Sequence, residues 1–417
     1  MPGMCKLETL PMSTARKPAK LRTKADYLII GGGIAGMAAL AEARRIGIDA
    51  ICLEARTKPG GRIRTERNRR MANYPIELGP EFVHGPLMKG LCESLGLTLV
   101  RHPSDGVAFV DNKFLPLVPI LHGFKAIRER AAAHLAAGRE DCSVEEFLAS
   151  LKDGGHDLSP SVTSYLLLQL IRNDFAARVS ELGLTGLLAP DVDGYEDNYR
   201  VAEGYAEVPR RLAVGGDVRG NHVTSAIFRH HHVDVYTNRG VYSGNVAVVC
   251  LPVGVLQAGD VQFDPPLTRA KSDAINAINA GAATKLVLCF RRNRMGTTFW
   301  PEDMPLLATS LATQLWWPTG WGYKDQRHFL ASCLVGGAAV TRFAERDPRQ
   351  IGLAQLAHMF GRERVEGKVL SPYYVKSWHD DPLTKGGYSF LPVGIDQELL
   401  LQELESPEDD TDRKSVV

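Results

Sequence analysis

Long apolar runs are missing from this chain of 417 residues. No stretch approaches the ~18 consecutive apolar residues that a membrane-spanning helix needs, so no membrane partner is expected. A dominant charge is missing too. The chain carries 49 Lys+Arg against 48 Asp+Glu, a net charge of +1, which argues against nucleic acid as the main partner. Cysteine is sparse: Cys5, Cys52, Cys92, Cys142, Cys250, Cys289 and Cys333 include no Cys-x-x-Cys pair. Several lie inside apolar strands, where a buried thiol is ordinary core, so a reducing, cytoplasmic setting is expected. A metal set is lacking as well, since His230-His231-His232 is followed by no acid or cysteine at ligand spacing. That run reads as the start of an exposed hairpin strand. The basic stretch Arg16–Lys24 lacks the continuous apolar core and cleavage site of a signal peptide. Residues 1–24 therefore read as a disordered leader.

A chain of this length buries a large core and is expected to form two domains. The most informative segment is Tyr27-Leu-Ile-Ile-Gly31-Gly-Gly33-Ile34-Ala35-Gly36, an apolar strand entering a Gly-x-Gly-x-x-Gly turn that opens a helix. Gly31 permits the tight turn, Gly33 admits a pyrophosphate to the backbone, and Gly36 lets helix and strand pack closely. The helix N-terminus, at Ile34 and Ala35, offers N–H groups and dipole to the phosphates. A second strand, Ala50–Leu53, ends on Glu54, at the offset of the acid that bonds ribose hydroxyls. Strand, glycines, helix, strand and acid in this order predict a dinucleotide site.

After Glu54 come Ala55-Arg56-Thr57-Lys58-Pro59-Gly60-Gly61-Arg62. Two glycines and an arginine behind the ribose acid let a guanidinium reach a pyrophosphate. The same residues, with Arg64, Arg67, Arg69 and Arg70, also read as a basic surface loop. Joined to the glycine turn, Glu-Ala-Arg and Gly-Gly-Arg resemble the signature of the flavin-containing amine oxidase family. The resemblance extends through Glu77-Leu-Gly79-Pro80-Glu81-Phe-Val-His84-Gly85, Asn221-His-Val223-Thr, Leu251-Pro-Val-Gly-Val-Leu256, and Trp378-His-Asp-Asp-Pro382 with Gly386-Gly387-Tyr388. It covers about residues 26–394.

The resemblance implies an α/β fold: an FAD-binding Rossmann-like domain interleaved with an α+β substrate-binding domain. Segments 25–86, 203–266 and 376–405 would form the first, and 87–202 with 267–375 the second. It implies that Gly79, Pro80, Glu81 and Trp378 pass the flavin, that the Val223 backbone meets the adenine, and that Ala55 and Arg56 continue the ribose loop. Gly387 stands where the mitochondrial monoamine oxidases carry the cysteine bonded to FAD, so the cofactor is expected to be noncovalent. The implied reaction is oxidation of a polyamine or monoamine to an imine, with dioxygen as acceptor and hydrogen peroxide released. An L-amino acid is the runner-up substrate; no residue can be assigned to hold its carboxylate. A homo-oligomer is compatible with this reading.

Lys285 lies in Thr284-Lys-Leu-Val-Leu-Cys-Phe290, where alternation puts Lys285, Val287 and Cys289 on one face and Leu286, Leu288 and Phe290 on the other. The residues alone allow either a buried lysine with a partner or one at the strand's mouth reaching solvent. The resemblance makes it the lysine that holds a water against flavin N5. Tyr388 matches one tyrosine of the family's aromatic cage, while Trp378 also reads as core packing. Glu81 and His84 are candidates for the substrate mouth, with Glu81 alternatively bonding a nearby arginine.

Helices are predicted over Ala126–Ala137, Val144–Leu151, Val162–Arg172, Tyr205–Ala213 and Leu267–Ala280, with Ser143 and Glu146 forming a capping box. Strands are predicted over Asp234–Tyr236, Val246–Leu251 and Lys285–Phe290. Gln397–Glu405 reads as a short amphipathic helix, and 406–417 as a disordered tail that buries too little apolar surface to order itself. The family's Phe-Ala-Gly-Glu element has no counterpart after Tyr388. Weak FAD binding, an unprotected sheet edge and a weakly active or inactive paralogue are the expectations drawn from that.

Overall fold

A computed structural model describes residues 22–153, 173–189, 198–324, 326–408 and 415–416. The glycine-turn segment folds as read. Strand β1 (Tyr27–Ile30), helix α1 (Ile34–Arg45) and strand β2 (Ala50–Leu53) follow one another. β1 pairs in parallel with β2 on one side and with a later strand on the other. Asp217–Arg219 (β3), Val246–Val249 (β4) and Ser415–Val416 complete a parallel sheet in the order Ser415–Val416, β4, β1, β2, β3. Parallel strands covered on both faces need apolar residues on both, and every residue of β2 is buried. On one face Met37, Leu40 and Ala43 of α1 pack with Ile29 and Cys52. On the other, Leu28, Ile30, Ile51 and Leu53 meet Ile227, Val233, Val235 and Tyr242. These last come from a four-stranded sheet of Thr224–Arg229, Val233–Thr237, Gly240–Gly244 and Gln262–Asp264.

A seven-stranded sheet forms the second body. Its centre is Ala283–Arg291 (β5), flanked by His328–Gly336 (β6) and Val369–Ser377 (β7). Four short strands, drawn from residues 107–116 and 307–318, extend it. The alternation in β5 holds. Leu286, Leu288 and Phe290 pack with Trp316, Phe329 and Leu356. Val287 and Cys289 pack on Met71, Tyr74, Ile76 and Leu78. Lys285 shares that second face, which turns it toward the Glu77–Glu81 segment. β7 runs to Ser377, so the sheet crosses the division expected at 375/376.

Several boundaries move for local reasons. The helix expected from Ala126 begins at Val118, with Pro119 in its first turn, where a missing N–H is harmless. The helix after Leu267 spans Arg269–Ala277 (α2), capped by the Thr268 side chain. Asn279–Gly281 leaves that helix to pair with Tyr388–Phe390. The capping box is reciprocal: Ser143 N and Oγ donate to Glu146 Oε2 at 3.0 and 2.8 Å, and Glu146 N donates to Ser143 Oγ. The His230–His232 run lies in the turn between two hairpin strands. The expected helix Val162–Arg172 lies outside the described residues.

At both ends, described residues make contacts inside the segments expected to be disordered. At the start, Arg22 pairs with Asp49 at 2.8 Å and Lys24 bridges Ser243, so order begins before residue 25. At the far end, the helix Gln397–Glu405 (α3) forms with Asp396 as its cap. The buried Lys271 of α2 donates to the carbonyls of Glu403, Leu404 and Ser406 at its C-terminus. Glu408 is buried, pairing with Arg229 at 3.3 Å and accepting from Thr268 N and Oγ1. Charge-assisted bonds, which an apolar-burial argument omits, hold this segment. The sheet position beside β4 is taken by Ser415–Val416, paired with Ala247 and Val248, and not left as the expected open edge.

Candidate functional site

Gly31 turns the chain at φ +102° as β1 ends, and α1 begins at once. A Cβ on Gly36 would stand 1.9 Å from the Gly31 carbonyl oxygen, so only glycine lets α1 sit this close to β1. No side chain caps the α1 N-terminus, and its first turn holds no acid. Gly33 faces open space. An uncapped helix terminus behind an open glycine fits a phosphate group. Glu54 ends β2 with its carboxylate turned inward: Oε2 accepts from Gly32 N and Oε1 from Arg56 N, both at 2.6 Å. Each oxygen retains lone-pair capacity for a ribose hydroxyl. These residues fit the dinucleotide that the sequence implies.

The loop after Glu54 is tied to distant segments. Gly61 lies against Gly33. Arg62 Nη1 donates to the Gly387 carbonyl at 2.8 Å, which joins the glycine-turn region to the segment bearing Tyr388. Arg62 is exposed to solvent, yet surrounding protein lowers its pKa by desolvation. Tyr388 behaves alike: 39% of its surface is accessible, while burial pushes its pKa up to about 12. Both side chains are therefore accessible to solvent while partly enclosed by protein. Gly387 has no room for a side chain, since a Cβ there would meet Ala283 Cβ at 2.4 Å.

Three of the expected cofactor-site residues also make bonds within the protein. The Arg56 guanidinium is spent on Asp381, at 2.8 and 2.9 Å; Lys376 donates to the same carboxylate. Arg56 therefore anchors the loop, with Ala55, to the Trp378–Asp381 segment. Trp378 is buried and donates Nε1 to the Leu78 carbonyl at 2.9 Å, so it braces the Gly79-Pro80 passage from behind. Val223 donates its N–H to Asn238 Oδ1 and accepts the Asn238 N–H at its carbonyl. The neighbouring His222 N–H donates to the Glu54 carbonyl, which places Val223 beside the ribose loop.

Lys285 is 2% exposed, which rejects the solvent-reaching alternative. Its Nζ donates to Glu81 Oε2 at 2.6 Å and to the Gly79 carbonyl at 3.2 Å, and lies 5.0 Å from the Trp317 ring centroid. Glu81 is not at a substrate mouth. It is buried between Lys285 and Arg200, whose Nη2 lies 3.1 Å from Oε1. Arg200 in turn donates to the carbonyls of Thr319 and Pro318. His84 is exposed, 6.2 Å from Phe82 between ring centroids. Phe82 meets His102 at 4.8 Å and Trp317 at 5.5 Å. One aromatic wall therefore connects His84 to Lys285. Burial, with Arg200 beside it, drives His102 down to about 3, so the wall carries a neutral imidazole at physiological pH.

Below this network Glu77 accepts from Thr65 Oγ1 at 2.7 Å and Tyr205 N at 2.8 Å. Burial nevertheless pushes its pKa from 4.5 to about 7. A carboxyl raised in the folded state contributes stability that is complete below its unfolded pKa and is lost as pH rises through the folded one. Unfolding free energy should therefore drop between about pH 4.5 and pH 7 by up to about 3 kcal/mol. Urea titrations across that window should show the loss in the parent and a flatter profile in Glu77→Gln.

The sequence reading missed Arg200, Asp381, Phe82, His102 and Trp317. Only Arg200 left a signal, as a charge between Tyr199 and Val201 in the short strand Asn198–Val201.

Comparison with known proteins gives the family and the fold. The family model described as flavin containing amine oxidoreductase matches residues 34–411. Polyamine oxidase 3 of Oryza sativa subsp. japonica is 26% identical over 416 residues, covering 89% of this chain and 80% of the relative. The structure of cyclohexylamine oxidase from Brevibacterium oxydans IH-35A superposes with a TM-score of 0.75 at 20% identity, covering 92% of this chain and 91% of the other. A wild-type putrescine oxidase bound to putrescine gives a TM-score of 0.74 at 18% identity, with 92% of each chain covered.

Proposed function

The chain belongs to the flavin-containing amine oxidoreductase family, and on that premise we propose that it oxidises a polyamine or a related amine at a site that includes Arg62, Tyr388, Lys285 and His84. It is an FAD-dependent amine oxidoreductase acting on small-molecule amines. Bound FAD supplies the hydride acceptor for the carbon alpha to the amine nitrogen, and dioxygen takes the electrons to give hydrogen peroxide.

The protein supplies position, charge and exclusion of water. The α1 terminus, Gly31, Gly33, Gly36 and Gly61 hold the pyrophosphate. Glu54 holds the ribose, and Arg62 adds charge at the point where it also fixes Gly387. Tyr388 and the wall from Phe82 to Trp317 flank the amine nitrogen. His84 meets the outer part of an extended substrate at the rim. Lys285 holds a water by the one N–H of its ammonium that neither Glu81 nor Gly79 takes. The single observation that carries the reading is the Arg62–Gly387 bond, which joins the loop after Glu54 to the Tyr388 segment. The amino-acid alternative lacks support, because the Arg200 guanidinium is engaged by Glu81 and two carbonyls.

The cofactor-binding part is drawn from residues 25–86, 203–266 and the segment after β7. The rest of the chain to residue 375, with β7, builds the substrate side. No described helix is long and apolar enough to cross a membrane. The free thiols at Cys52, Cys92, Cys142, Cys250, Cys289 and Cys333 support a reducing, cytoplasmic compartment. A homo-oligomer is testable by light scattering.

The crowding at Gly387 supports noncovalent FAD. Acid precipitation of the yellow protein should release the chromophore to the supernatant; colour kept in the pellet contradicts that reading. Arg62→Ala should weaken FAD retention by about 10- to 100-fold, the value of a charged hydrogen bond to phosphate. Fluorescence titration of the stripped protein with FAD checks this, and unchanged affinity moves Arg62 off the pyrophosphate.

A further inference from the structure

Three charges are buried together on the β5 face: Lys285, Glu81 and Arg200, with side chains 2%, 4% and 3% exposed. Removing one member of such a group from water-free surroundings is strongly unfavourable unless the others are rearranged. They come from three separate segments of the chain. Lys285 stands on β5, Glu81 follows the Gly79-Pro80 passage, and Arg200 lies in the strand Asn198–Val201 that pairs with Leu99–His102. We propose that Glu81 is the positioning residue of Lys285, and that Arg200 holds the other carboxylate oxygen so that Glu81 cannot rotate away.

The geometry is specific. An ammonium has three N–H donors. Glu81 takes one at 2.6 Å and the Gly79 carbonyl a second at 3.2 Å, which leaves one direction for the third. The Trp317 ring closes another side at 5.0 Å. Glu81 Oε1 is held by Arg200 at 3.1 Å, and Arg200 is itself fixed by the carbonyls of Thr319 and Pro318. The clamp therefore runs from a rigid backbone turn, through Arg200 and Glu81, to the lysine. Other groups near Lys285 are already matched or neutral. Lys376, opposite it in the β5–β7 register, is paired with Asp381. Glu77 is hydrogen-bonded to Thr65 and Tyr205, and burial keeps the Cys333 thiol protonated. Glu81 is the anion in direct contact with the ammonium.

This inference rests on the proposed role of Lys285 beside the flavin, and a double-variant cycle separates the two. Glu81→Gln, Lys285→Met and their combination are compared as flavin-loaded full chains at equal saturating FAD. In urea unfolding, Lys285→Met should lower the midpoint of the parent but raise that of Glu81→Gln, because it removes one of two unpaired buried cations. A lowering in both backgrounds overturns the pair. In stopped-flow reoxidation, Glu81→Gln should slow the reaction about 100-fold, as a mispositioned group does. The double variant should be no slower than Lys285→Met alone. Losses that multiply overturn positioning through Lys285. Glu81→Asp keeps the charge but retracts the carboxylate by one methylene, and should still be about 10-fold slow; parent-like rates would show that charge alone suffices. If Lys285→Met itself leaves reoxidation unchanged, the role of the lysine fails, while the unfolding cycle still reports on the pair.

Discussion

Lys285→Met is expected to slow reoxidation of the reduced flavin by dioxygen about 100-fold, the lower end of what a positioned proton-transfer group contributes. FAD retention should change far less, because the proposed pyrophosphate and ribose contacts lie at α1, Glu54 and Arg62, away from β5. The methionine keeps most of the volume of the lysine stem, so the apolar packing of Val287 and Cys289 with Met71 and Tyr74 is preserved. Glu81 is not orphaned by the change, since Arg200 remains 3.1 Å from it. Cofactor binding and chemistry therefore separate in this variant. Stopped-flow mixing of photoreduced protein with oxygenated buffer measures the rate directly. Equal rates in parent and variant would remove Lys285 from the oxidative half-reaction.

Gly36→Ala should abolish flavin retention and lower thermal stability. A new Cβ would stand 1.9 Å from the Gly31 carbonyl oxygen and 3.3 Å from Ile29 Cγ2. The first contact is with backbone, so α1 must move away from β1. Overpacking of this kind costs about 1–3 kcal/mol, and the shift withdraws the helix N-terminus from the proposed phosphate position. Purified protein should carry less than about a tenth of the parent's flavin absorbance, a loss set by the charged contacts given up. Parent-like flavin content and melting temperature would show that the helix and strand have room that the geometry denies.

The parts of this site that could be read from the sequence are those written in local spacing. The β1–α1–β2 unit needs glycines at fixed offsets and an acid at the end of β2, and all lie within residues 27–54. The face of Lys285 followed from alternation along β5, because a strand sends every second side chain the same way. What could not be read was pairing across the chain. Glu81 and Lys285 are 204 positions apart, and no periodicity encodes which buried cation a buried acid will meet. Arg56 carried the right motif, but its guanidinium went to Asp381, a residue whose position depends on the turn after β7. Residues 406–408, just after α3, show the same thing: Ser406 and Glu408 bond to Lys271, Arg229 and Thr268, and none of these is near them in sequence.

Anaerobic reduction by amine tests the central account most directly. The purified chain, saturated with FAD, is mixed with spermine, spermidine, putrescine or a simple monoamine while the flavin band is followed, and air is then admitted with a peroxide assay running. The account predicts a noncovalent flavin that is bleached by at least one of these amines and recovers its colour in air with release of one hydrogen peroxide per amine oxidised. A chain that binds no FAD at saturating concentration, or whose bound FAD stays oxidised with every amine, would contradict it.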